Sequence, residues 1–251
     1  MITVVIPAYN EENLVEQATK QTHDVLKDAF DDFTVSIVDN GSSDATFQIA
    51  QELEQTYDAV EAHRASSNGK ASAIRYGWEH ADTPILGFVD SDLSPDISIL
   101  PAMTRRVEET KGMAITSRHH PTSKITWSKR RRLTSHLYNV LLQILAGSSV
   151  TDHQCGLKCI HREFYNAISQ LRSTEWFLDT ELILQAHHQG RHIDEYAISW
   201  EDREANTLFT PSVSYKLLHS LFSFYRHEGF TRHGATIKTH ERDNDTAPSR
   251  I

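Results

Sequence analysis

The chain has 251 residues, 39% of them hydrophobic and 24% charged, with a formal net charge of −9. That length buries a sizeable core in one large domain or in one domain with an elaborated end, and the acidic balance argues against a nucleic-acid partner. Two cysteines cannot build a disulfide framework, and Cys155 and Cys159 are not spaced as a zinc pair, so both read as packed free thiols in a reducing compartment.

In chain order, ITVVI (Ile2–Ile6) is a continuous β-branched run ended by Pro7, which predicts a fully buried strand. Asn10 is placed to cap a helix from near Glu11 that turns Leu14, Ala18, Val25 and Leu26 inward. TVSIVD (Thr34–Asp39) predicts a second buried strand. NGSSDAT is a turn, with Ser42 or Ser43 capping a helix through Phe47, Ile49, Ala50 and Leu53. A short strand near Val60 leads to SSNGKASAIRYGW, a loop and then a helix. Pro84 opens the strand PILGFVD, Pro95 starts a helix carrying Ile97, Leu100, Met103 and Val107, and Met113–Ser117 is a further strand. Strands alternating with helices imply βαβ units, hence an α/β fold: a Rossmann-like, mostly parallel central sheet with helices on both faces. Ligands of such sheets sit at the carboxyl ends of the strands.

After Arg118 the rhythm breaks. Lys129–Leu145 predicts a helix with a basic end and an apolar stripe of Leu133, Leu137, Val140, Leu141 and Ile144. The turn TDHQCG follows, then helices near Arg162–Leu171 and Leu178–Gln189, a strand HIDEYAISW, and a last helix over about Val213–Arg226. Residues 1–210 are expected to form the main domain, 211–236 a peripheral amphipathic helical region, and 237–251 a polar tail without structure. MITVVIPAY has neither a charged n-region nor a small-residue cleavage site, and no run of about 18 apolar residues occurs. The expectation is a cytoplasmic protein, lying peripherally on the cytoplasmic face of a membrane if its substrate is a lipid.

Chemistry-bearing residues gather at strand ends. In VDSDLSPD, Asp90 and Asp92 flank Ser91 where the apolar run PILGF stops. Two close carboxylates raise each other's pKa unless a cation sits between them, and a hard divalent ion with nucleotide phosphates relieves that repulsion. The plainer reading is that Asp92, Ser94 or Asp96 caps the next helix. Asp39 ends another strand beside Asn40-Gly41, where a carboxylate accepts from a base N–H or a ribose hydroxyl, or merely forms a turn. From Thr110 to Thr151 there is no Asp or Glu, while Lys111, Arg118, Lys124, Lys129, Arg130, Arg131 and Arg132 all occur. This basic island in an acidic chain is either an anion site or a solvated helix face. No GxGxxG, Walker loop, GxSxG or HExxH pattern is present.

VVIPAYNEE, VDNGSSDAT, NGKASAIRYG, VDSDLSPD, TSR, WSKRRRLTS and TDHQCGLK occur in that order. The ordered set resembles the family-2 glycosyltransferases of the GT-A fold, and within them the dolichol-phosphate mannose synthases and related polyprenyl-phosphate sugar transferases, over roughly residues 2–205. The resemblance implies an inverting transfer of a hexose from a nucleotide sugar, GDP-mannose or UDP-glucose, to a polyprenyl or dolichyl phosphate. It places Pro7, Tyr9, Glu11 and Asp39 at the nucleoside, Lys70 close to the donor, and Asp90 and Asp92 on Mg²⁺ or Mn²⁺ at the diphosphate. Arg118, Arg131 and Ser135 would hold the lipid phosphate. Arg131 and Ser135 are four residues apart, on one helical face. Asp152, in the turn near the acceptor, is the base in many inverting relatives. Here it either takes that role or positions a substrate hydroxyl or Arg131, because a phosphate monoester with a second pKa near 6 arrives already as a nucleophile. Arg203 in WEDRE would reach a phosphate. Asp179 and Glu181 read as mainly structural, pairing with the basic island.

Two departures from the resemblance leave the donor open: Ser94 stands where those synthases carry Gln, and Asn206-Thr207 where they carry Ser-Lys. The last helix, SYKLLHSLFSFYR, gathers Leu217, Leu218, Leu221, Phe222 and Tyr225 on one side, either as core or as an in-plane membrane helix. Membrane contact is then direct or through a membrane-anchored protein partner. Two rival functions stay open: a transferase to a sugar or small molecule with Asp152 as base, and a non-catalytic nucleotide-sugar-binding subunit.

Overall fold

The computed structural model describes residues 1–65, 69–92, 94–168, 171, 173, 177–201, 219–224, 226 and 237–240. Strands β1 (Ile2–Ala8), β2 (Phe33–Asp39), β3 (Val60–Arg64), β4 (Ile85–Val89), β5 (Met113–Ser117), β7 (Leu157–His161), β8 (Ile193–Ala197) and β10 (Ile237–His240) form one sheet in the order β10-β8-β5-β7-β4-β1-β2-β3. All neighbours are parallel except β7, which runs antiparallel to both β4 and β5. A second small sheet pairs β6 (Lys124–Thr126) with β9 (Ser199–Glu201).

Because side chains alternate along a strand, β1 feeds two cores. Ile2, Val4 and Ile6 point into one, with Val15, Ala18 and Leu26 of α1 (Val15–Lys27), Ala50 and Leu53 of α2 (Thr46–Thr56), and Met103 and Val107 of α4 (Leu100–Thr110). Val5 points into the other, with Ile74 and Trp78 of α3 (Lys70–His80) and Leu182 and Ile183 of α7 (Leu178–His188). The strands are apolar on both faces for that reason. Gly77 lets α3 lie against β1, since a Cβ there would meet Val5 Cγ2 at 2.5 Å. Among the described residues, further helices are α5 (Lys129–Ala146), the short α6 (Arg162–Ala167) and a helical stretch over residues 219–224.

Several local expectations are corrected. Asn10 caps no helix: it sits in the left-handed region at φ 55°, and its Oδ1 accepts from the Ser43 N–H at 2.9 Å. Neither Ser42 nor Ser43 caps α2. Asp44 accepts from the Thr46 N–H and hydroxyl instead, at 3.0 and 2.5 Å. Pro95 is followed by a 3₁₀ turn, Ile97–Ile99, capped by Asp96 through the Ser98 N–H, before α4 begins. HIDEYAISW divides into β8 and β9, and the helix expected to reach Leu171 ends at Ala167. The tail expected to lack structure starts with β10, paired to β8; residues 241–251 lie outside the described residues.

The largest correction is β7, which no sequence pattern announced. Lys158 stands in the middle of LKCIH, yet all five residues are buried. Its ammonium is held by Asp179 Oδ1 at 2.5 Å and by the Cys155 carbonyl, so a charge that reads as solvent-facing sits in the core. The antiparallel direction of β7 decides the site. The turn that leads into it, Asp152–Gly156, lies at the edge where β4 and β5 end.

Candidate active site

The carboxyl ends of β1, β2 and β3 align in register at Ala8, Asp39 and Arg64. Asp39 is fully buried and accepts from the Gly41 and Ser42 N–H groups at 3.3 and 3.2 Å and from Arg64 Nε at 2.8 Å. Arg64, which the sequence reading missed, lies over the Phe47 ring at 4.5 Å and is half exposed. Pro7 lies on β1, Tyr9 just beyond it is 58% exposed, and the Glu11 N–H donates to Thr46 Oγ1 at 2.8 Å. These four expected nucleoside residues therefore share one corner, in which the Asp39 carboxylate is buried and the Arg64 guanidinium is half exposed.

The end of β4 carries the acidic cluster. Lys70, first residue of α3, places Nζ 2.6 Å from Asp90 Oδ1 and 3.5 Å from Asp179 Oδ2. Burial would lower the Lys70 pKa, but the charges of Asp179 and then Asp90 outweigh it and hold the ammonium protonated. Burial raises the Asp90 pKa, the Lys70 charge lowers it, Asp92 and Asp179 raise it further, and the net direction is upward. The cluster brings three carboxylates, Asp90, Asp92 and Asp179, to two ammonium groups, Lys70 and Lys158. Asp179 pairs with Lys158 and Lys70, not with the basic island as expected. Gly156 is required beside it: a Cβ there would lie 2.0 Å from Asp90 Oδ2.

Asp92 accepts from the Ser94 N–H at 2.9 Å and from its hydroxyl at 2.6 Å. Ser94, at the position where the resemblance departs, thereby fixes the orientation of the Asp92 carboxylate. Among the described residues no group of three His, Cys, Asp or Glu side chains forms a metal cage. The donor set is hard oxygen with surplus charge, which suits Mg²⁺ or Mn²⁺ completed by a substrate's phosphates. The residues present fit such an ion only in partnership with a diphosphate.

The end of β5 carries a closed pair. Arg118 Nε donates to Asp152 Oδ2 at 2.7 Å and one Nη to Oδ1 at 2.9 Å, while the Arg118 and Gln154 N–H groups donate to the same carboxylate. Asp152 is fully buried. Burial alone would raise its pKa, but the Arg118 charge and hydrogen bonds hold it well below the usual carboxylate range. The turn around it is fixed on both sides. Glu195 accepts from the Thr151 N–H at 2.9 Å, and Asn139 Oδ1 of α5 accepts from His153 N and Nδ1 at 3.0 and 2.8 Å. Burial pushes the His153 pKa down to about 3, so the ring is neutral.

Two tryptophans join the basic residues. Arg131 lies over the Trp200 ring at 4.8 Å and Arg118 over the same ring at 5.7 Å, with Trp127 edge-on to Trp200 at 5.9 Å. Ser135 is buried, and its hydroxyl is 2.9 Å from His119 Nε2. Trp200 also bridges to Pro95, and the Asp96 N–H donates to Ser199 O at 2.9 Å, which ties this platform to the acidic loop. The structure therefore gathers Arg118, Arg131, Ser135 and Asp152 at one place. The Trp127–Trp200 platform and His119 were not named as site residues; the two Trp inside the motifs WSKRRR and WEDRE were the available signal. Arg203, Asn206 and Thr207 lie outside the described residues.

A family model described as glycosyl transferase family 2 matches residues 3–169. The chain belongs to that family. Among curated relatives, it is 30% identical over 207 residues to glycosyltransferase AglD of Haloferax volcanii, covering 80% of this chain and 33% of that protein. It is 28% identical to a dolichyl-phosphate beta-glucosyltransferase of Drosophila melanogaster, covering 85% and 71% of the two chains. An undecaprenyl-phosphate 4-deoxy-4-formamido-L-arabinose transferase of Pseudomonas fluorescens is 25% identical, with 88% and 64% covered. The chain thus spans from one third to about two thirds of the length of several of these relatives. The fold is shared with the crystal structure of Mycobacterium tuberculosis glucosyl-3-phosphoglycerate synthase in complex with Mn²⁺, UDP and phosphoglyceric acid. The TM-score is 0.69 at 17% identity, over 95% of this chain and 87% of that one. The GT-A glycosyltransferase architecture expected from the sequence is the one observed.

Proposed function

We propose that this family-2 glycosyltransferase moves a hexose, with inversion, from a nucleotide sugar to the phosphate of a polyprenyl or dolichyl lipid. The observation that carries the reading is the Asp152–Arg118 pair. An acidic carboxylate already bound by a guanidinium and two N–H groups is a poor general base. A sugar hydroxyl needs a base, whereas a phosphate monoester, with a second pKa near 6, does not. The Drosophila and Pseudomonas relatives carry lipid phosphates in their names, which supports the same acceptor class.

In this reading Pro7, Tyr9, Glu11 and Asp39, with Arg64, receive the nucleoside. Asp90 and Asp92 hold the divalent cation, which on binding would neutralise the departing nucleoside diphosphate. Lys70, already protonated beside Asp90, approaches the same phosphates. Arg131 and Ser135 receive the acceptor phosphate, and Arg118, clamped by Asp152, shares the Trp200 ring with Arg131. Gathering cations there removes the charge repulsion between two anionic substrates and sets the in-line approach. Arg203 is assigned to the diphosphate on its motif. GDP-mannose and UDP-glucose are the two donors considered, the reaction being placed at the cytoplasmic face of a membrane. Among the described residues no helix is long and apolar enough to cross one.

The test is one assay: protein, Mg²⁺ or Mn²⁺, short-chain polyprenyl phosphate, and radiolabelled GDP-mannose, UDP-glucose or UDP-N-acetylglucosamine, followed by organic extraction. A metal-dependent product in the organic phase with one donor is expected, and Arg131→Ala should lower it by about 10². Donor hydrolysis with no lipid-linked product would replace the lipid phosphate by a sugar or small-molecule acceptor. Neither activity would favour a binding subunit.

A further inference from the structure

Asp90, at the end of β4, already carries a cation of the protein's own. Its Oδ1 is held by Lys70 Nζ at 2.6 Å. Its Oδ2 lies against Gly156, where an added Cβ would stand 2.0 Å away. Lys70 is the first residue of α3, and a cation in that position opposes the helix dipole. The carboxylates around it, and not its helix, hold the ammonium in place.

The same ammonium has a second carboxylate within reach. Lys70 Nζ is 3.5 Å from Asp179 Oδ2, which is longer than a charge-assisted N–H···O bond of about 2.7–2.9 Å. The other oxygen of Asp179, Oδ1, is fixed at 2.5 Å by Lys158 Nζ, and the Cys155 carbonyl holds that lysine as well. The Phe88 ring lies beside both ammonium groups, its centroid 5.2 Å from Lys70 Nζ and 5.7 Å from Lys158 Nζ. Lys158, Asp179, Lys70 and Asp90 thus form a row of alternating charge. It starts in the core, where the Lys158 and Asp179 side chains are 1% and 5% exposed, and it ends at Asp90, which is 29% exposed. Lys158 alone would neutralise Asp179. The second oxygen of Asp179, turned towards Lys70, is surplus to that need.

We infer that Lys70 is an exchangeable internal counter-ion: a divalent cation arriving at Asp90 with a nucleoside diphosphate displaces the ammonium from Asp90 Oδ1 to Asp179 Oδ2. Asp179, fixed by Lys158, is the seat built to receive it. The inference rests on the reading of Asp90 and Asp92 as the metal ligands. Burial disfavours the charged form of Lys70, but the charges of Asp179 and Asp90 outweigh it, so the ammonium moves whole and no proton is transferred. The flexible four-carbon stem of a lysine permits the shift without movement of α3. Until it moves, Lys70 competes with the metal, so the bare ion binds weakly. The diphosphate supplies the further attraction that tips the exchange, which couples metal binding to nucleotide binding. Asp179 and Lys158 touch no substrate in this scheme and act as positioning residues.

The experiment is Mn²⁺ binding to the purified full chain, read as free Mn²⁺ by electron paramagnetic resonance, without nucleotide and with UDP or GDP. Lys70→Met should bind bare Mn²⁺ about tenfold more tightly than wild type, because an internal competitor lowers apparent affinity by the fraction of molecules it still blocks. Asp179→Asn should bind it about tenfold more weakly, because Lys70 loses its second seat. In the Lys70→Met background, Asp179→Asn should change almost nothing, since its effect runs through Lys70. An equal effect in both backgrounds would reduce the row to a field of fixed charges and overturns the exchange. So does Lys70→Met with wild-type affinity. Because Asp179→Asn strands Lys158 in the core, a second measurement is independent of folding: a crystal structure of wild type with Mn²⁺ and UDP or GDP. Lys70 Nζ hydrogen-bonded to Asp179 with the ion on Asp90 is expected, and Lys70 still on Asp90 beside the bound ion overturns the inference. Asp90→Asn and Asp92→Asn separate the two readings. Nucleotide-supported Mn²⁺ binding that survives both substitutions removes the metal assignment and the exchange with it. Binding that is lost in both, yet indifferent to Lys70→Met, removes the exchange alone.

Discussion

Asp90 and Asp152 stand at the same edge of the sheet, each bonded to one cation, and they are built for opposite ends. Asp152 is a closed pair: both oxygens face Arg118 and two N–H groups complete the set. Asp90 belongs to an open cluster in which Lys70 is shared with Asp179, and Asp92 adds a third carboxylate to the two ammonium groups of Lys70 and Lys158. A closed pair holds its charges still, so it fixes geometry and cannot take a proton. An open cluster with surplus negative charge has a reason to admit a further cation with its phosphates.

The largest effect should come from the open side. Asp90→Ala is expected to lower transfer by about 10³ or more, since metal neutralisation of a leaving diphosphate is worth several kcal/mol. Its melting temperature should stay near that of wild type. Transfer that survives the substitution would remove the cluster from catalysis.

The closed side should answer in stability. Asp152→Ala strands Arg118 in a largely buried place, and breaking such a pair costs about 3 kcal/mol. The double variant Asp152→Ala/Arg118→Leu should recover much of that loss in urea unfolding. A single variant that loses turnover while keeping full stability would instead mark Asp152 as a base, and would reopen the sugar-acceptor reading.

Smaller effects sharpen the contrast. Ser94→Ala removes the hydroxyl that orients Asp92 and should weaken Mn²⁺ binding in the presence of nucleoside diphosphate by about tenfold, read by electron paramagnetic resonance. An unchanged affinity would leave Ser94 with a purely local turn role. Finally, His153 is neutral in the fold, with its pKa pushed from 6.5 down to about 3 by burial. Below pH 6.5 the unfolded chain binds a proton that the fold excludes, so stability falls as pH drops, by about 1.4 kcal/mol per unit until about pH 3. Urea unfolding of His153→Gln should show that slope reduced by one proton.

Periodicity and turn chemistry located most of the sheet. β1, β2, β4 and β5 are mostly apolar or β-branched runs, and Pro84 and the NGSS turn punctuate them, although β1 does not end at Pro7 as expected but pairs on to Ala8. Local rules went astray where a side chain serves a distant partner. Asn10 reads as a cap and instead binds the loop after β2. Lys158 puts a charge inside LKCIH and pairs with Asp179, which hides β7 from an apolar pattern. In the apolar stripe of α5, Leu133, Leu137 and Ile144 are exposed.

The site divides in the same way. That Asp39, Asp90, Asp92, Arg118 and Asp152 stand near strand ends, and Arg131 and Ser135 on one helix, was legible from the ordered motifs. Their pairing was not. Which carboxylate meets Arg118, which meets Lys70, and which ring carries Arg131 depend on one antiparallel strand and on Trp200. Residue type and spacing determined the edge of the sheet where chemistry collects. Only the tertiary fold decided which charges there are closed and which stay open, because a charge is neutralised by what lies within a few ångströms in space, whatever its distance along the chain.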